Sequence, residues 1–104
     1  MKLYTTGEAV GEEIERSLGL VRGNTIRAKN IGRDILAGFR NLVGGEIKDY
    51  TEMLSDARDE AVTRMVKEAE DMGADGIVEI RFTTSETMGG AAEILVYGTA
   101  VKFK

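Results

Sequence analysis

Asp49–Met72, DYTEMLSDARDEAVTRMVKEAEDM, is the stretch that decides the fold. Its apolar residues Tyr50, Met53, Leu54, Ala57, Ala61, Val62, Met65, Ala69 and Met72 recur at the three-and-four spacing of one helical face. Asp49 stands where an N-cap belongs, with Glu52 three residues on in capping-box position. Gly73 follows at the place of a left-handed C-cap. The spacing predicts an amphipathic rod of roughly 36 Å at 1.5 Å per residue. Its apolar face needs a sheet to lie against.

Working outward, Asn30 is a good N-cap for a second, shorter helix from Ile31 to Val43. Ile31, Ile35, Leu36, Phe39, Leu42 and Val43 form its apolar side, and Gly44-Gly45 ends it. Residues 2–6 read as a short edge strand. From Glu12 to Ala28 the chain reads as extended, one bent strand or two short ones, with Gly19 and Gly23 marking a bulge or bend. Beyond Gly73, strands at Ile77 to about Ser85 and Ala92–Phe103 flank a turn at Thr87–Gly90. A hairpin about that turn sets Val78, Ile80 and Phe82 against Thr99, Tyr97 and Leu95 on one face. Ile77, Glu79, Arg81 and Thr83 then share the other face with Ala100, Gly98, Val96 and Ile94. The expected class is α+β, a small antiparallel sheet packed against one long and one shorter helix, in a single domain over 1–104. If both helices lie on one side, the Ile77, Ile94, Val96 and Ala100 patch needs a partner, and it is the predicted oligomer contact.

Composition narrows the chemistry. The chain of 104 residues has no His and no Cys. Zinc sites built on imidazole or thiolate, and Ser-His or Cys-His catalysis, are therefore excluded. A bound metal would meet only oxygen ligands, which suits Mg, Ca or Mn. No apolar run reaches the length of a membrane helix, and the N-terminus is too polar for a signal peptide, so a cytoplasmic location without membrane contact is expected. The net charge of −4 argues against nucleic acid as a partner.

Two groups of residues are candidate sites. Glu68 falls at the helical angle of Tyr50, between Met65 and Met72 on the apolar stripe. A carboxylate there is either an oxygen ligand or one half of a structural pair with Arg64, Arg81 or an arginine of the first half. Arg22, Arg27, Lys29 and Arg33 form a basic stripe with no acid over 22–33. Asn30 and Arg33, at the predicted start of the shorter helix, are its candidates for an anion or phosphate ligand. The plain alternative is a solvated strand edge whose charges deter pairing. The pairs Gly44-Gly45 and Gly89-Gly90 match no nucleotide fingerprint and read as turns. No second group is forced beside Glu68, so no catalytic residue is assigned.

Gly19-Leu-Val-Arg-Gly23, Asn30-Ile-Gly-Arg-Asp34, Gly44-Gly-Glu46, Tyr50-Thr51, Glu68-Ala69, Gly73-Ala-Asp75, Arg81-Phe82 and Tyr97-Gly-Thr-Ala-Val101 run in order along the chain. The set resembles the small prokaryotic YbjQ-like family. The resemblance implies an α+β subunit in a ring-like homopentamer, with the chain itself as partner. It also implies a heavy-metal-binding label, and so a metal ion as the only suggested cofactor. Glu68, Asp34 and Glu46 are the acidic positions in the matching motifs and hence the metal candidates. The reading that results is a non-enzymatic oligomeric module for a metal ion or small ligand at subunit interfaces. The alternative is an anion or phosphate binder using residues 22–33.

Overall fold

The computed structural model describes residues 1–27, 45–86 and 92–104. Four strands and one helix occur among them: β1 (Lys2–Leu3), β2 (Ile14–Arg27), α1 (Gly45–Asp71), β3 (Gly76–Glu86) and β4 (Ala92–Phe103). The predicted helix Ile31–Val43 and the turn Thr87–Gly90 lie outside the described residues. The sheet order is β1-β3-β4-β2. β3 and β4 are antiparallel neighbours, as the hairpin pattern predicts, β2 pairs antiparallel along the other side of β4, and β1 adds a parallel pair with β3 at Lys2↔Gly76 and Leu3↔Ile77. The chain is α+β, with a mixed sheet rather than a wholly antiparallel one.

The helix begins at Gly45, four residues before the predicted cap, so Asp49 lies inside it. Nothing in Glu46-Ile-Lys48 opposes helical backbone, and the expected connection is absorbed into the first turn. The C-terminus is as predicted. Gly73 takes φ 79°. Its N–H donates to the Glu70 carbonyl at 2.9 Å, and the Ala74 N–H donates to the Ala69 carbonyl at 3.0 Å. That pair of bonds is a Schellman cap, satisfying carbonyls the helix end would otherwise leave bare.

Small residues fix where the helix sits. Ala57, Ala61, Met65 and Ala69 are the fully buried positions among the described side chains of α1. They repeat every four residues, a ridge of the kind that packs closely. Opposite them on β2 is Gly23. A Cβ built there would lie 2.0 Å from the Ala61 carbonyl oxygen and 2.5 Å from the Met65 nitrogen. Gly23 is therefore a close-approach residue and not the predicted bend. The bulge is at Gly19, where the β2–β4 register shifts and φ is 117°. Two hydrogen bonds tie the same crossing: Thr25 Oγ1, buried, to the Ala57 carbonyl at 3.1 Å, and Arg64 Nη1 to the Asn24 carbonyl at 2.6 Å. These contacts draw α1 over β2, with less contact to β4.

The hairpin register holds as far as Val78↔Thr99, then slips by one to Arg81↔Tyr97 and Phe82↔Val96. A bulge at Glu79–Ile80 causes the slip. Glu79 takes φ 54°, a left-handed conformation that L side chains adopt at a cost. Its N–H donates to the Thr6 carbonyl at 2.9 Å, and the Ile80 N–H donates to the Tyr4 carbonyl at 3.0 Å, so the N-terminal segment holds the bulge in place. The slip moves Ile80 and Phe82 to the helix side with Ile77 and Val96, and sends Arg81 and Thr83 to the other. The predicted face assignment beyond Val78 is corrected accordingly.

The predicted oligomer contact is also corrected. Ile77, Ile94, Val96 and Ala100 pack with Ala57, Ala61, Met65 and Ala69 in the main core. They are covered by the chain's own helix. Parity assigns residues to a face but does not say which face a helix takes. The outer face instead carries Leu20, Arg22, Asn24 and Ile26 of β2 opposite Thr99, Tyr97, Leu95 and Glu93 of β4. A smaller cluster of Ala9, Val78 and Val101, with Tyr4, Ile14 and Phe103 against it, closes the end of that face near the termini.

Candidate functional site

Glu68 is exposed, and the expectation that it sits buried among Met65, Met72 and Ala61 is overturned. The cause is geometric. A four-residue step on a helix advances by about 40°, since each residue turns about 100°. The packed ridge from Ala57 to Ala69 therefore drifts around α1 and has left the Glu68 angle by the last turn. Met72, past the end, is 39% exposed. The suggested partners are engaged elsewhere. Arg64 Nη2 pairs with Glu60 at 2.6 Å, and Arg81 Nη1 donates to the Thr5 carbonyl at 2.7 Å. Glu68→Gln is accordingly expected to shift stability by no more than about 0.5 kcal/mol, the range of an exposed substitution. A urea midpoint lowered by several times that amount would mean the carboxylate has a partner after all.

Of the other candidates, Asn30, Arg33 and Asp34 lie outside the described residues. Glu46 lies in the first turn of α1, and its side chain is likewise outside them. The described structure thus brings none of the sequence candidates together. Among the described residues no three Asp or Glu side chains converge in a way that could hold a metal ion. The acids near the N-terminal loop serve structure: Glu12 pairs with Lys2, and Glu13 with Lys104 at 3.0 Å.

Sequence reasoning passed over Asp75, which ties the end of α1 to the end of the sheet. Its N–H donates to the Val101 carbonyl at 2.9 Å, and its Oδ2 accepts the Phe103 N–H at 2.9 Å, with Lys102 Nζ 3.6 Å away. The Phe103 N–H, and less strongly Lys102, hold the carboxyl below the usual carboxylate range. A carboxyl depressed in the folded state stabilises the fold above its unfolded pKa, and loses that contribution as pH falls through its folded value. Asp75→Asn should therefore lower the urea midpoint at pH 7, with the gap to wild type closing below about pH 4. A gap that stays constant to pH 3 would remove the carboxylate from this role. The signal in the sequence was Gly73-Ala-Asp75-Gly76, a carboxylate set between two turn residues.

Two surfaces remain as binding features. The outer sheet face is one. Leu20 is 62% and Ile26 59% exposed there, with Tyr97 also exposed and Leu95 half-buried. Arg22 and Arg81 both pair with Tyr97 and stand on either side of it. The second is an apolar groove of about 190 Å³ on the helix side, lined by Leu3, Tyr4, Val62, Met65, Ile80 and Phe82. α1 is drawn over β2, so among the described residues the β3 side of the sheet has no helix cover. Phe82 is 50% and Leu3 43% exposed at its mouth.

An α+β subunit with two apolar surfaces, and with neither thiolate nor imidazole to offer a metal, defines a small module without an evident catalytic centre among its described residues. The chain belongs to the YbjQ_1 family, described as "Putative heavy-metal-binding", whose model matches residues 1–104. It is similar to a UPF0145 protein of Archaeoglobus fulgidus, 60% identical over 98% of this chain and 95% of that one. A UPF0145 protein of Halorubrum lacusprofundi is 57% identical over the full length of both chains. A crystal structure from Pediococcus pentosaceus, described as a protein of unknown function in the DUF74 family, superposes with a TM-score of 0.65. That match covers 100% of this chain and 98% of the other at 21% identity, and it speaks to the fold. Thiolate and imidazole, the usual ligands of a soft heavy metal, are both missing from the chain, which leaves methionine thioether as its soft donor. No helix of the described residues is long and apolar enough to cross a membrane.

Proposed function

We propose that this chain is a non-enzymatic binding module that works as a homo-oligomer, a pentamer on the family resemblance, and holds a small ligand or a hard cation where subunits meet. The observation that carries the proposal is the set of exposed apolar side chains on both sides of the sheet: Leu20 and Ile26 outside, Leu3 and Phe82 beside the helix. Exposed aliphatic and aromatic residues grouped in this way mark association surfaces. Oxygen donors from neighbouring subunits would supply what one chain lacks, and Glu68, exposed on α1, is available to such a site. The cytoplasm is the proposed location, with neither membrane nor nucleic acid as partner.

The test is calorimetric titration of tag-free protein with Mg, Ca and Mn, and separately with Zn. Saturable binding of a hard cation, weakened by Glu68→Gln, supports the reading. Micromolar or tighter Zn at one ion per subunit would contradict the preference for a hard cation. A second reading takes the outer face as an anion site, since Arg22 and Arg81 bracket the exposed Tyr97. Binding of inorganic phosphate that falls steeply with salt and is lost in Arg22→Gln would favour it.

A further inference from the structure

On the outer face the paired residues of β2, β4 and β3 line up in rows across the sheet. One row is Arg22, Tyr97 and Arg81, both arginines pairing with the same tyrosine. Neighbouring strands lie about 4.8 Å apart, so a guanidinium side chain rises on each side of the ring at that spacing. All three residues are exposed. Lys2, Arg64, Lys67, Lys102 and Lys104 each pair with an acid. Among the described residues Arg22 and Arg81 pair with none, although the chain has more acids than bases. Backbone holds Arg81 instead: its Nη1 donates to the Thr5 carbonyl at 2.7 Å and to the Ile80 carbonyl at 2.9 Å. That anchor uses one nitrogen of the three and fixes the planar group in advance, which lowers the entropy a ligand must give up. Glu93 stands two rows from Tyr97, and Asn24 Nδ2 donates to its Oε2 at 3.4 Å.

Resting on the anion reading of this face, we propose that the row Arg22–Tyr97–Arg81 is a mononucleotide site, in which the base stacks on the tyrosine ring and the phosphate is held by arginine. An aromatic face accepts any base, and a guanidinium plane beside it adds a second stacking surface and a charge. Arg22, which has no hydrogen bond among the described residues, reaches for the phosphate. Arg81, already anchored, closes the other side of the ring. Leu95, half-buried and next to Tyr97 on the same face, continues the apolar floor under the base. Two guanidinium charges exceed what a single carboxylate neutralises and match a phosphate monoester, which carries about 1.5 to 2 negative charges near neutral pH. The ligand is one nucleotide rather than a strand. A strand is tracked by successive stacking rings along a basic groove, whereas Tyr97 is the one aromatic residue of its row and the next, and Glu93 interrupts the positive surface beyond them.

Calorimetric titration of the untagged full chain with adenosine monophosphate, adenosine and inorganic phosphate separates the parts of the site. The nucleotide should bind roughly ten-fold or more tighter than phosphate, the gain from one stacked base, and tighter than adenosine. Tyr97→Leu should erase that advantage and leave phosphate binding as in wild type. Tyr97→Phe, which keeps the ring, should retain it. Arg22→Gln should weaken nucleotide and phosphate together by roughly ten-fold, as loss of a charged hydrogen bond does, and leave adenosine unchanged. A nucleotide that binds no tighter than phosphate would overturn the assignment while leaving the anion reading in place. Nucleotide affinity unchanged in Tyr97→Leu would overturn it as well, by putting the base elsewhere. Binding of neither nucleotide nor phosphate would remove the anion reading together with the inference.

Discussion

Gly23→Ala is expected to disrupt the fold more than a methyl group added at any other described glycine. The new Cβ would stand 2.0 Å from the Ala61 carbonyl oxygen, 2.5 Å from the Met65 nitrogen and 3.0 Å from Arg64 Cβ. The first two atoms are helix backbone, which cannot rotate aside as a side chain can. Relief requires α1 to lift from β2, and lifting breaks the Thr25–Ala57 and Arg64–Asn24 hydrogen bonds and loosens the alanine ridge. Overpacking commonly costs about 1–3 kcal/mol, and a clash against two backbone atoms belongs at or above the upper end. Against a typical stability of about 5–15 kcal/mol that is a large fraction. The urea midpoint should fall markedly or the cooperative transition should vanish. A midpoint within error of wild type would show that helix and strand do not meet at Gly23.

The double variant Ile94→Asp with Val96→Asp is expected to yield unfolded chain rather than folded, dissociated subunits. Ile94 is 1% and Val96 0% exposed, and both lie in the cluster beneath α1. The cluster around them is apolar, and burying an unpaired carboxylate in such a place costs several kcal/mol even after relaxation. Two such groups on neighbouring positions of one strand exceed what a domain of this size has in reserve. Far-ultraviolet circular dichroism separates the outcomes. Loss of the helical signal is expected. A native spectrum from a smaller particle would restore these residues to a subunit interface.

Much of the fold is legible in the sequence because its signals are periodic. The apolar spacing of α1, the terminal glycine at 73 and the β-branched runs of β3 and β4 each announce their element. What could not be read depends on contacts between elements. Glu79 is not the residue expected at a left-handed bulge position, so the register slip that exchanges Phe82 for Arg81 has no local signature. Glu68 lies on the apolar stripe of an ideal wheel, yet the ridge that packs drifts away from it along the helix. Gly23 shows only that a side chain is missing, and the cause, a helix backbone resting on the strand, appears when both are in place. Asn30, Arg33 and Asp34 fall outside the described residues, and the apolar groove is lined from β1, α1 and β3 together, which no single segment encodes.

The central claim is that this subunit is made to be completed by its own copies. Native mass spectrometry of the untagged chain, sprayed from a volatile buffer near neutral pH, tests that claim most directly. The account predicts one dominant closed species at a small multiple of the 11.3 kDa subunit, five on the family resemblance. A dominant species at 11.3 kDa, unchanged as protein concentration rises, would contradict it.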